Sequence, residues 1–418
     1  MPPEGQAFPE VCDVAVVGGG PAGLALASAL KRQGIRDVVV LEREQEAGGI
    51  PRHCGHYPFG MRELGRVLKG PDYARRLVQR ANDAGVVIAT RTTVTALHPK
   101  GRLSIVSPDE VCDLQAKRVA LCTGVRESSR AQRFIGGDRP LGVISTGALQ
   151  SMVYLERLQP FRRPVILGTE LVSFSALLTC RHGGIRPAAM IEENDRVTAR
   201  LFATGLPRLM NVPMFFGTKG LRILGRERVE GVQYLDGVGE IRTVEADGVI
   251  VSGRFRPESA LLWGSHLETD PGTGGPVIDQ DGRCSDSAYF AAGNLLRPVE
   301  TAGWSFREGE AVAGMIARDF SEPERAQRTS LILRCAHPAL RYAVPQRLTV
   351  SEEPGALTSL QLRLKYPADG CLAAETEGIT LWRGRLKSRP ERRILIPLHP
   401  LLDGLRAAPV DITLQEKR

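Results

Sequence analysis

The sequence lacks the cysteine spacings that mark several common classes of protein. Its 418 residues include only eight cysteines, and the two nearest each other, Cys112 and Cys122, are ten positions apart. No Cys-x-x-Cys or Cys-x-x-x-x-Cys pair exists, which excludes the usual zinc ribbons, iron–sulfur clusters and redox dithiols. We therefore predict no metal site. Scattered thiols are typical of a reducing compartment, so we expect the protein in the cytoplasm.

Long runs of like charge and membrane-spanning segments are missing as well. The 55 Lys and Arg outnumber the 47 Asp and Glu, but they are scattered, so we predict no nucleic-acid partner. The uncharged run 14–30 contains several glycines and follows the acidic residues Glu10 and Asp13, whereas a signal peptide begins with basic residues. We expect no membrane span.

That uncharged run carries the most informative pattern in the chain. An apolar stretch leads into three glycines, a helix-like stretch follows, and a second apolar stretch ends in the acidic residue Glu42. The glycines have the spacing Gly-x-Gly-x-x-Gly and are Gly18, Gly20 and Gly23. In this context they predict a βαβ unit that binds a dinucleotide. Gly18 permits the tight turn, Gly20 lets the backbone approach a pyrophosphate, and Gly23 lets helix and strand pack closely.

Glu42 narrows the choice of dinucleotide. A carboxylate at the end of the second strand accepts hydrogen bonds from ribose hydroxyls and repels a 2′-phosphate, so FAD or NAD fits and NADP does not. The N-terminus of the intervening helix offers free N–H groups and a partial positive charge to the phosphates. The alternative is an ordinary βαβ unit whose turn happens to be rich in glycine.

A second βαβ-like pattern occupies the middle of the chain, from the strand-like run 164–168 to the run 188–193. Its turn keeps only the first glycine, Gly168. Glu170 places bulk and negative charge where a pyrophosphate must approach the backbone, while Glu192 keeps the ribose-binding position. We therefore expect a second dinucleotide fold in which tight binding of NAD(P)H is disfavoured.

Other patterns complete the outline. We expect a helix between Pro71 and Gly85, a strand over Val86–Thr95 and a helix over 305–319. Strands that end in turns are predicted at 117–124, 248–253 and 289–294. After about residue 327 the sequence changes to short β-like runs separated by turns such as Pro367–Gly370; the runs are Leu340–Val350, Leu360–Tyr366, Ile379–Leu386 and Arg393–Pro397.

With Thr123-Gly124 and Gly293-Asn294 added, residues 11–325 resemble the two-dinucleotide-domain flavoproteins. The resemblance implies that the first fold binds FAD and that the inserted second fold usually binds NAD(P)H. The Thr-Gly turn would close the first fold. Gly293 and Asn294 would contact the ribityl chain and pyrophosphate, with Asn in place of the Asp of the family.

The fold class implied is α/β. A Rossmann-like FAD domain would comprise residues 1–125 and 283–325, with a second dinucleotide domain at 126–282 inserted into it. Residues 328–418 would form a small β-rich C-terminal domain, in which we recognise no chemical signature.

Two segments narrow the resemblance. The loop 48–56 and the segment 300–310 are similar to the FAD-binding α subunits of heteromeric opine, hydroxyproline and proline dehydrogenases and of hydrogen cyanide synthase. The resemblance implies a partner flavoprotein that binds and oxidises a small amine or amino acid. A second flavin, or a [2Fe-2S] cluster on a small iron–sulfur protein, would also belong to partner subunits. The alternatives are a self-contained NAD(P)H-dependent flavin oxidoreductase and a non-catalytic, FAD-bearing scaffold subunit.

These arguments give a set of candidate site residues. Those expected to bind FAD are Gly18, Gly20, Pro21, Ala22, Gly23, Glu42, Arg43, Gly49, Ile50, Val94, Thr123, Gly124, Gly293, Asn294, Glu300 and Thr301. The last two precede a helix whose N-terminus should point at the N1/O2 edge of the flavin and stabilise negative charge there.

The catalytic candidates are His53, Cys54 and His56. One imidazole would polarise the flavin or handle a proton, and the thiol would contact the flavin. The alternative is a structural loop with hydrogen-bonded histidines and a buried, inert cysteine.

Overall fold

The glycine-rich segment near the start folds as the predicted βαβ unit. A computed structural model describes residues 10–199, 204–322, 330–350, 355–405 and 408–417. The elements up to residue 126 are β1 (Val11–Val17), α1 (Pro21–Arg32), β2 (Val38–Leu41), α2 (Gly70–Asp83), β3 (Val87–Ala89), β4 (Thr93–Leu97), β5 (Arg102–Val106), β6 (Val111–Leu121) and β7 (Val125–Arg126).

The middle of the chain forms a second parallel sheet and a smaller antiparallel one. Its elements are β8 (Gly136–Gly137), β9 (Val143–Ser145), α3 (Thr146–Tyr154), β10 (Pro164–Leu167), α4 (Leu171–His182), β11 (Ala189–Ile191), α5 (Gly205–Leu209), β12 (Met214–Phe215), β13 (Lys219–Leu224), β14 (Gly231–Leu235), β15 (Ile241–Glu245), β16 (Gly248–Val251), β17 (Arg256–Pro257) and α6 (Ala260–Trp263). The parallel sheet has the order β12-β11-β10-β16-β9, and β15-β14-β13-β8 form the other.

The chain then returns to the first sheet through β18 (Tyr289–Ala291), which pairs with β6, and α7 (Ala302–Ser321). The first sheet has the order β3-β2-β1-β6-β5-β4. Alternate residues of β1 serve its two faces: Val14 and Val16 pack beneath α1, α2 and α7, whereas Ala15 and Val17 face the opposite side. A strand buried on both faces explains the unbroken apolar run at the start of the motif.

The C-terminal part forms two more sheets, with the orders β21-β19-β26-β23-β24 and β20-β22-β25. Its elements are β19 (Ser330–Cys335), β20 (Leu340–Val344), β21 (Arg347–Thr349), β22 (Ser359–Leu364), β23 (Ala368–Thr376), β24 (Ile379–Ser388), β25 (Ile394–Pro397), α8 (His399–Asp403) and β26 (Val410–Glu416). Their apolar side chains merge with those on the Ala15 face of the first sheet into one continuous core. The expected junction at residues 326–327 lies outside the described residues.

Three local predictions were wrong. The expected strand Val86–Thr95 is two strands, because Arg91 between them takes a left-handed φ of 55°. The run Leu340–Val350 is likewise broken into β20 and β21 around Pro345.

The expected turn Pro367–Gly370 instead opens the long strand β23. Gly370 pairs with residues of both β24 and β26, and a Cβ there would lie 2.3 Å from the carbonyl oxygen of Gln415. This glycine therefore marks a close approach of two strands rather than a turn. None of the helices in the described parts of the chain is both long and apolar enough to cross a membrane.

Candidate functional site

A cleft of about 820 Å³ lies at the carboxyl ends of β1 and β2, beside the N-terminus of α1. This volume is typical of a cofactor site. Most of the residues predicted to bind FAD line the cleft, namely Gly18, Gly20, Pro21, Ala22, Glu42, Arg43, Gly49, Ile50, Val94, Thr123, Gly124, Asn294 and Glu300. Gly23, Gly293 and Thr301 are not in its wall.

The three glycines of the motif differ in what surrounds them. Gly18 has a φ of +105°, and a Cβ on it would lie 2.6 Å from the carbonyl oxygen of Cys122. A Cβ on Gly23 would lie 2.0 Å from the carbonyl oxygen of Gly18. At Gly20, by contrast, the nearest atom would be the Cα of Gly49 at 3.9 Å. Gly18 and Gly23 are therefore required by the fold, whereas the absent side chain of Gly20 leaves open space beside the cleft.

The N-terminus of α1 has the features of an anion-binding site. Gly20 is its N-cap residue and supplies no side-chain cap, so the N–H groups of the first turn are left for other partners. Gly20, Pro21 and Ala22 all line the cleft. Free N–H groups and the helix dipole together favour a phosphate at this position.

Glu42 is buried in the cleft wall and held in one orientation. Its Oε2 accepts a hydrogen bond from the backbone N–H of Gly19 at 2.9 Å, and its Oε1 accepts one from Glu44 at 2.9 Å. Each carboxylate oxygen can accept a second hydrogen bond. The carboxylate is therefore fixed and still able to accept hydrogen bonds from ribose hydroxyls.

Buried polar atoms without a hydrogen-bond partner also support the fit of a polar ligand. Within the described residues, four such atoms belong to residues of the cleft wall: Nε of Arg52, Nδ1 of His53, Oε2 of Glu258 and Oγ of Ser305. Buried polar atoms are normally paired. The wall therefore suits FAD in shape, charge and hydrogen-bonding capacity, and FAD bound there would supply two-electron redox chemistry.

Of the catalytic candidates, the structure places His53 and Cys54 in the cleft wall but not His56. Burial lowers the pKa of His53, which leaves the imidazole neutral at pH 7. Burial raises the pKa of Cys54 to about 12, and its Sγ lies 3.5 Å from Oε1 of Gln150. The thiol is therefore protonated and poorly nucleophilic.

His56 contacts the inserted fold instead. Its Nε2 lies 3.1 Å from Oγ of Ser175 on α4, and its Nδ1 lies 3.0 Å from the carbonyl oxygen of Tyr57. Both ring nitrogens thus have partners outside the cleft, as in the structural alternative for this histidine.

Hydrogen bonds to Glu300 explain why position 294 holds Asn instead of Asp. Oδ1 of Asn294 accepts the backbone N–H of Glu300 at 2.7 Å, and Nδ2 donates to the carbonyl oxygen of the same residue at 3.1 Å. An ionised Asp cannot donate the second of these bonds. Asn294 thereby closes the loop that leads to α7, while the N–H of its neighbour Gly293 is bound by Oε2 of Glu308 at 2.8 Å.

Thr301 caps a helix and does not line the cleft. It is the N-cap residue of α7, and its Oγ1 accepts the backbone N–H of Trp304 at 3.4 Å. The next residues, Ala302 and Ser305, line the cleft. The N-terminus of a second helix therefore meets the cleft, as expected for a helix that favours negative charge on a ligand.

Sequence reasoning missed several residues of the wall. Four are polar residues from several separate segments, and three lie on or directly after α3. They are Thr92, Thr93, Arg126, Glu258, Ser151, Leu155 and Glu156. Arg126 comes just after the predicted strand and turn at 117–124, and this position in the sequence could have identified it as a residue of the cleft. The others reach the cleft only through tertiary packing, so no local pattern identifies them.

The second dinucleotide fold repeats the first in its acidic residue. Oε2 of Glu192 accepts the backbone N–H of Thr169 at 2.9 Å, as Glu42 does from Gly19, and the two pairs have the same separation of 23 positions. The turn itself differs. Oε1 of Glu170 accepts the backbone N–H of Arg254 at 2.8 Å, and burial raises the pKa of the Glu170 carboxyl.

Together, the fold and the cleft define an oxidoreductase with two related dinucleotide folds. Residues 12–309 match the profile of the pyridine nucleotide-disulphide oxidoreductase family. The chain therefore belongs to this family and is an FAD-dependent oxidoreductase.

Relatives agree with this assignment. The chain is 26% identical to the A subunit of opine oxidase from Rhizobium meliloti (strain 1021) over 403 positions, which cover 88% of this chain and 82% of the relative. It is 25% identical to the alpha subunit of sarcosine oxidase from the same organism over 75% of this chain, but it spans only 31% of that protein. The motif-based resemblance to flavoprotein subunits is confirmed.

Solved structures agree on the fold. The crystal structure of T. acidophilum thioredoxin reductase superposes with a TM-score of 0.64 at 22% identity, and the match covers 75% of this chain and 100% of the reductase. This likeness concerns the fold alone.

Proposed function

We propose that this chain is the FAD-binding electron-transfer subunit of a heteromeric dehydrogenase that oxidises an amino acid, an opine or a similar small amine. A partner flavoprotein binds the substrate, and this chain exchanges electrons with the flavin of that partner or with an iron–sulfur centre. The well-formed first cleft beside the obstructed second turn is the observation that carries the proposal.

The obstruction is built from Glu170. It stands at the N-cap position of α4, equivalent to Gly20 in the first fold. A Cβ on Gly253 would lie 2.6 Å from Cδ of Glu170, so the carboxylate fills the space next to this backbone. The carboxylate makes no cap hydrogen bond to the first turn of α4, so its bulk and its negative charge beside this helix N-terminus are what disfavour a pyrophosphate. Electrons therefore reach FAD from a source other than NAD(P)H.

Neighbouring charges hold this arrangement together. Arg254 donates its backbone N–H to Glu170 and pairs through its side chain with Glu193. Arg133 approaches the same Glu193 at 3.9 Å and donates to the carbonyl oxygen of Leu167 at 3.1 Å. The guanidinium groups of Arg133 and Arg254 are thus both directed at one carboxylate of the protein, that of Glu193.

Thiol chemistry does not fit the site. All eight cysteines, each within the described residues, are free thiols. Cys54 is the cysteine expected at the flavin, and burial keeps it protonated. The disulphide reduction in the name of the family therefore has no dithiol here, and eight unpaired thiols support the proposed cytoplasmic location.

The names of the relatives favour a subunit role. The opine oxidase and sarcosine oxidase relatives are each named as one part of a larger enzyme. Both names refer to the oxidation of a small amino-acid-like compound, an opine or sarcosine, which motivates the substrate class. The identity of the amine and of the partners is part of the proposal.

One observation favours a second candidate, the self-contained NAD(P)H-dependent oxidoreductase. Glu192 keeps the backbone contact with Thr169 that Glu42 makes with Gly19, so the acidic residue of a ribose site is retained, although its oxygens also accept hydrogen bonds from the side chains of Thr169 and Asn194. The two candidates differ in the electron donor, which direct mixing with NADH distinguishes.

The proposal is tested by purifying the FAD-loaded chain alone and together with a flavoprotein encoded beside it. Amine-dependent reduction of an artificial electron acceptor is measured for both samples. We expect turnover only from the complex, and loss of turnover with assembly intact when Gly20→Val removes FAD from this chain. Rapid turnover of an amine by the isolated chain would contradict the subunit role, and loss of assembly in the variant would support a scaffold.

A further inference from the structure

The C-terminal strands, which carry no recognised motif, contact the cleft through Glu300. This residue lines the cleft, and its side chain is 11% exposed. Its Oε2 accepts a hydrogen bond from Arg393 at 2.7 Å, and Arg363 approaches Oε1 at 3.9 Å. Both arginines belong to the C-terminal part, Arg363 on β22 and Arg393 just before β25. The charge of a cleft residue is therefore balanced from a separate sheet.

Trp304 fixes the position of Arg393. The guanidinium carbon of Arg393 lies 3.9 Å from the centroid of the Trp304 ring, and that of Arg307 lies 5.4 Å from it. Stacking on an aromatic face adds to the ion pair and restricts the guanidinium to one orientation. Trp304 belongs to the first turn of α7, so Arg393 is held against the same helix end that meets the cleft.

A second connection runs to the Gly293–Asn294 turn. Arg297 is almost fully buried and pairs with Glu308 at 2.6 Å, and its Nε donates to Oε1 of Gln361 on β22 at 2.6 Å. Glu308 in turn accepts the N–H of Gly293. The C-terminal part therefore supports both the turn and Glu300, on either side of the loop that Asn294 closes.

The charges of this cluster do not cancel. Three guanidinium groups, those of Arg297, Arg363 and Arg393, face two carboxylates, those of Glu300 and Glu308. Burial raises the pKa of Glu300, and the three arginines oppose that rise. These guanidinium groups offset the negative charge that Glu300 brings to the wall of the cleft, where partial burial limits screening by salt.

We propose that the C-terminal domain sets the reduction potential of the bound FAD, with Arg393 as the positioning residue that balances Glu300 beside the cofactor. Reduction of FAD by two electrons with uptake of one proton adds one negative charge. A guanidinium that offsets the charge of Glu300 lessens the repulsion between that carboxylate and the reduced flavin, and so raises the potential. The inference rests on FAD binding in this cleft and is independent of which partner supplies the electrons.

The test is the reduction potential of FAD in the full-length holoprotein, measured by equilibration with a reference dye. Arg393→Gln removes the charge and leaves Glu300 less compensated. We expect the ratio of oxidised to reduced flavin at a fixed potential to rise about tenfold, which is a shift of about 30 mV to more negative values for a two-electron couple. Arg393→Lys, which retains the charge, should shift the ratio less than threefold.

The matched control is Arg334→Gln. Arg334 is also in the C-terminal part and forms an exposed pair with Asp411 at 2.7 Å, outside the cleft wall. It changes the net charge equally and should leave the potential unchanged. Glu300→Gln should shift the potential in the opposite direction, and it supplies the test if Arg393→Gln fails to fold.

Equal potentials for the Arg393→Gln variant and the parent protein, or equal shifts for Arg393→Gln and Arg334→Gln, would overturn the proposal. A shift in thermal unfolding temperature with no shift in potential would assign Arg393 a purely structural role and also overturn it. Loss of the visible flavin spectrum in the parent protein would instead be a failure of FAD binding itself.

Discussion

Oε1 of Glu170 accepts the backbone N–H of Arg254 at 2.8 Å, and this contact lies at the helix end where the second dinucleotide fold would bind phosphate. The equivalent position in the first fold is Gly20, whose open side meets the cleft. The two folds share their strand–helix–strand frame and their carboxylate. They differ in this turn, where Glu170 replaces Gly20, and in the side chains of Thr169 and Asn194 that bond the second carboxylate.

The first prediction concerns Glu170→Gly, which restores the glycine of the motif at that turn. We expect NADH to bind at least tenfold more tightly to the variant than to the parent protein, because the bulk and negative charge of the carboxylate no longer lie beside the helix N-terminus. The measurement is a titration of NADH fluorescence. NADPH is the control ligand and should gain less, since Glu192 disfavours a 2′-phosphate. Equal NADH affinities would show that Glu170 is not the obstruction.

The second prediction compares two alanine substitutions in one motif. Gly20→Ala meets no protein atom closer than 3.9 Å, so the apoprotein should keep its unfolding temperature while its affinity for FAD falls at least tenfold. Gly23→Ala places a methyl group 2.0 Å from the carbonyl oxygen of Gly18 and should cost about 1–3 kcal/mol of unfolding free energy. Thermal unfolding of the apoprotein measures the stability of each variant, and a titration with FAD measures its affinity for the cofactor. Retention of FAD affinity in Gly20→Ala would argue against a pyrophosphate at this turn.

A third prediction concerns Asn294→Asp, which installs the residue usual in the family. The carboxylate would lose the donor to the carbonyl oxygen of Glu300 and face it with negative charge. We expect a loss of about 1–3 kcal/mol in unfolding free energy and a weaker hold on FAD. Chemical denaturation of the apoprotein measures the unfolding free energy, and the extra stability of the holoprotein measures how tightly FAD is held. A variant as stable as the parent protein would show that the amide does not close this loop.

The fourth prediction concerns the thiol of Cys54, whose pKa burial raises to about 12. The folded protein keeps this proton when the unfolded chain loses it near pH 8.5. The thiol therefore contributes stability below that pH, and the contribution is lost as pH rises from about 8.5 toward 12. Each pH unit in that window costs up to about 1.4 kcal/mol.

Cys54→Ala is the variant that isolates this titration. The difference in unfolding free energy between the parent protein and Cys54→Ala should become less favourable to the parent as pH rises from 8 to about 10. The parent should also resist alkylation at this residue at pH 7. A pH-independent difference, or rapid alkylation of Cys54 in the folded protein, would contradict a buried protonated thiol.

The sequence predicted the first fold well because its constraints are local. Gly18, Gly20, Gly23 and Glu42 each occupy a position dictated by the chain immediately around them, and most of them reach the cleft as expected. The replacement of the second motif glycine by Glu170 was also visible from the spacing alone. Local patterns were therefore sufficient wherever a backbone turn specifies its own residues.

Long-range contacts were not predictable in the same way. The role of Asn294 depends on Glu300, and that of Glu300 depends on Arg393 from a sheet nearly a hundred positions later. Gly370 resembles a turn residue until Gln415 is brought beside it. Such pairings arise from tertiary packing, which leaves no periodic signal in a single sequence.

The obstruction of the second dinucleotide site is tested most directly by mixing the FAD-loaded chain anaerobically with a stoichiometric amount of NADH or NADPH and recording its visible absorbance. We expect the flavin band to persist with either nucleotide, while dithionite bleaches it completely. Rapid and complete bleaching by NADH would contradict the obstruction, because the second dinucleotide fold would then be a working donor site and this chain a reductase in its own right.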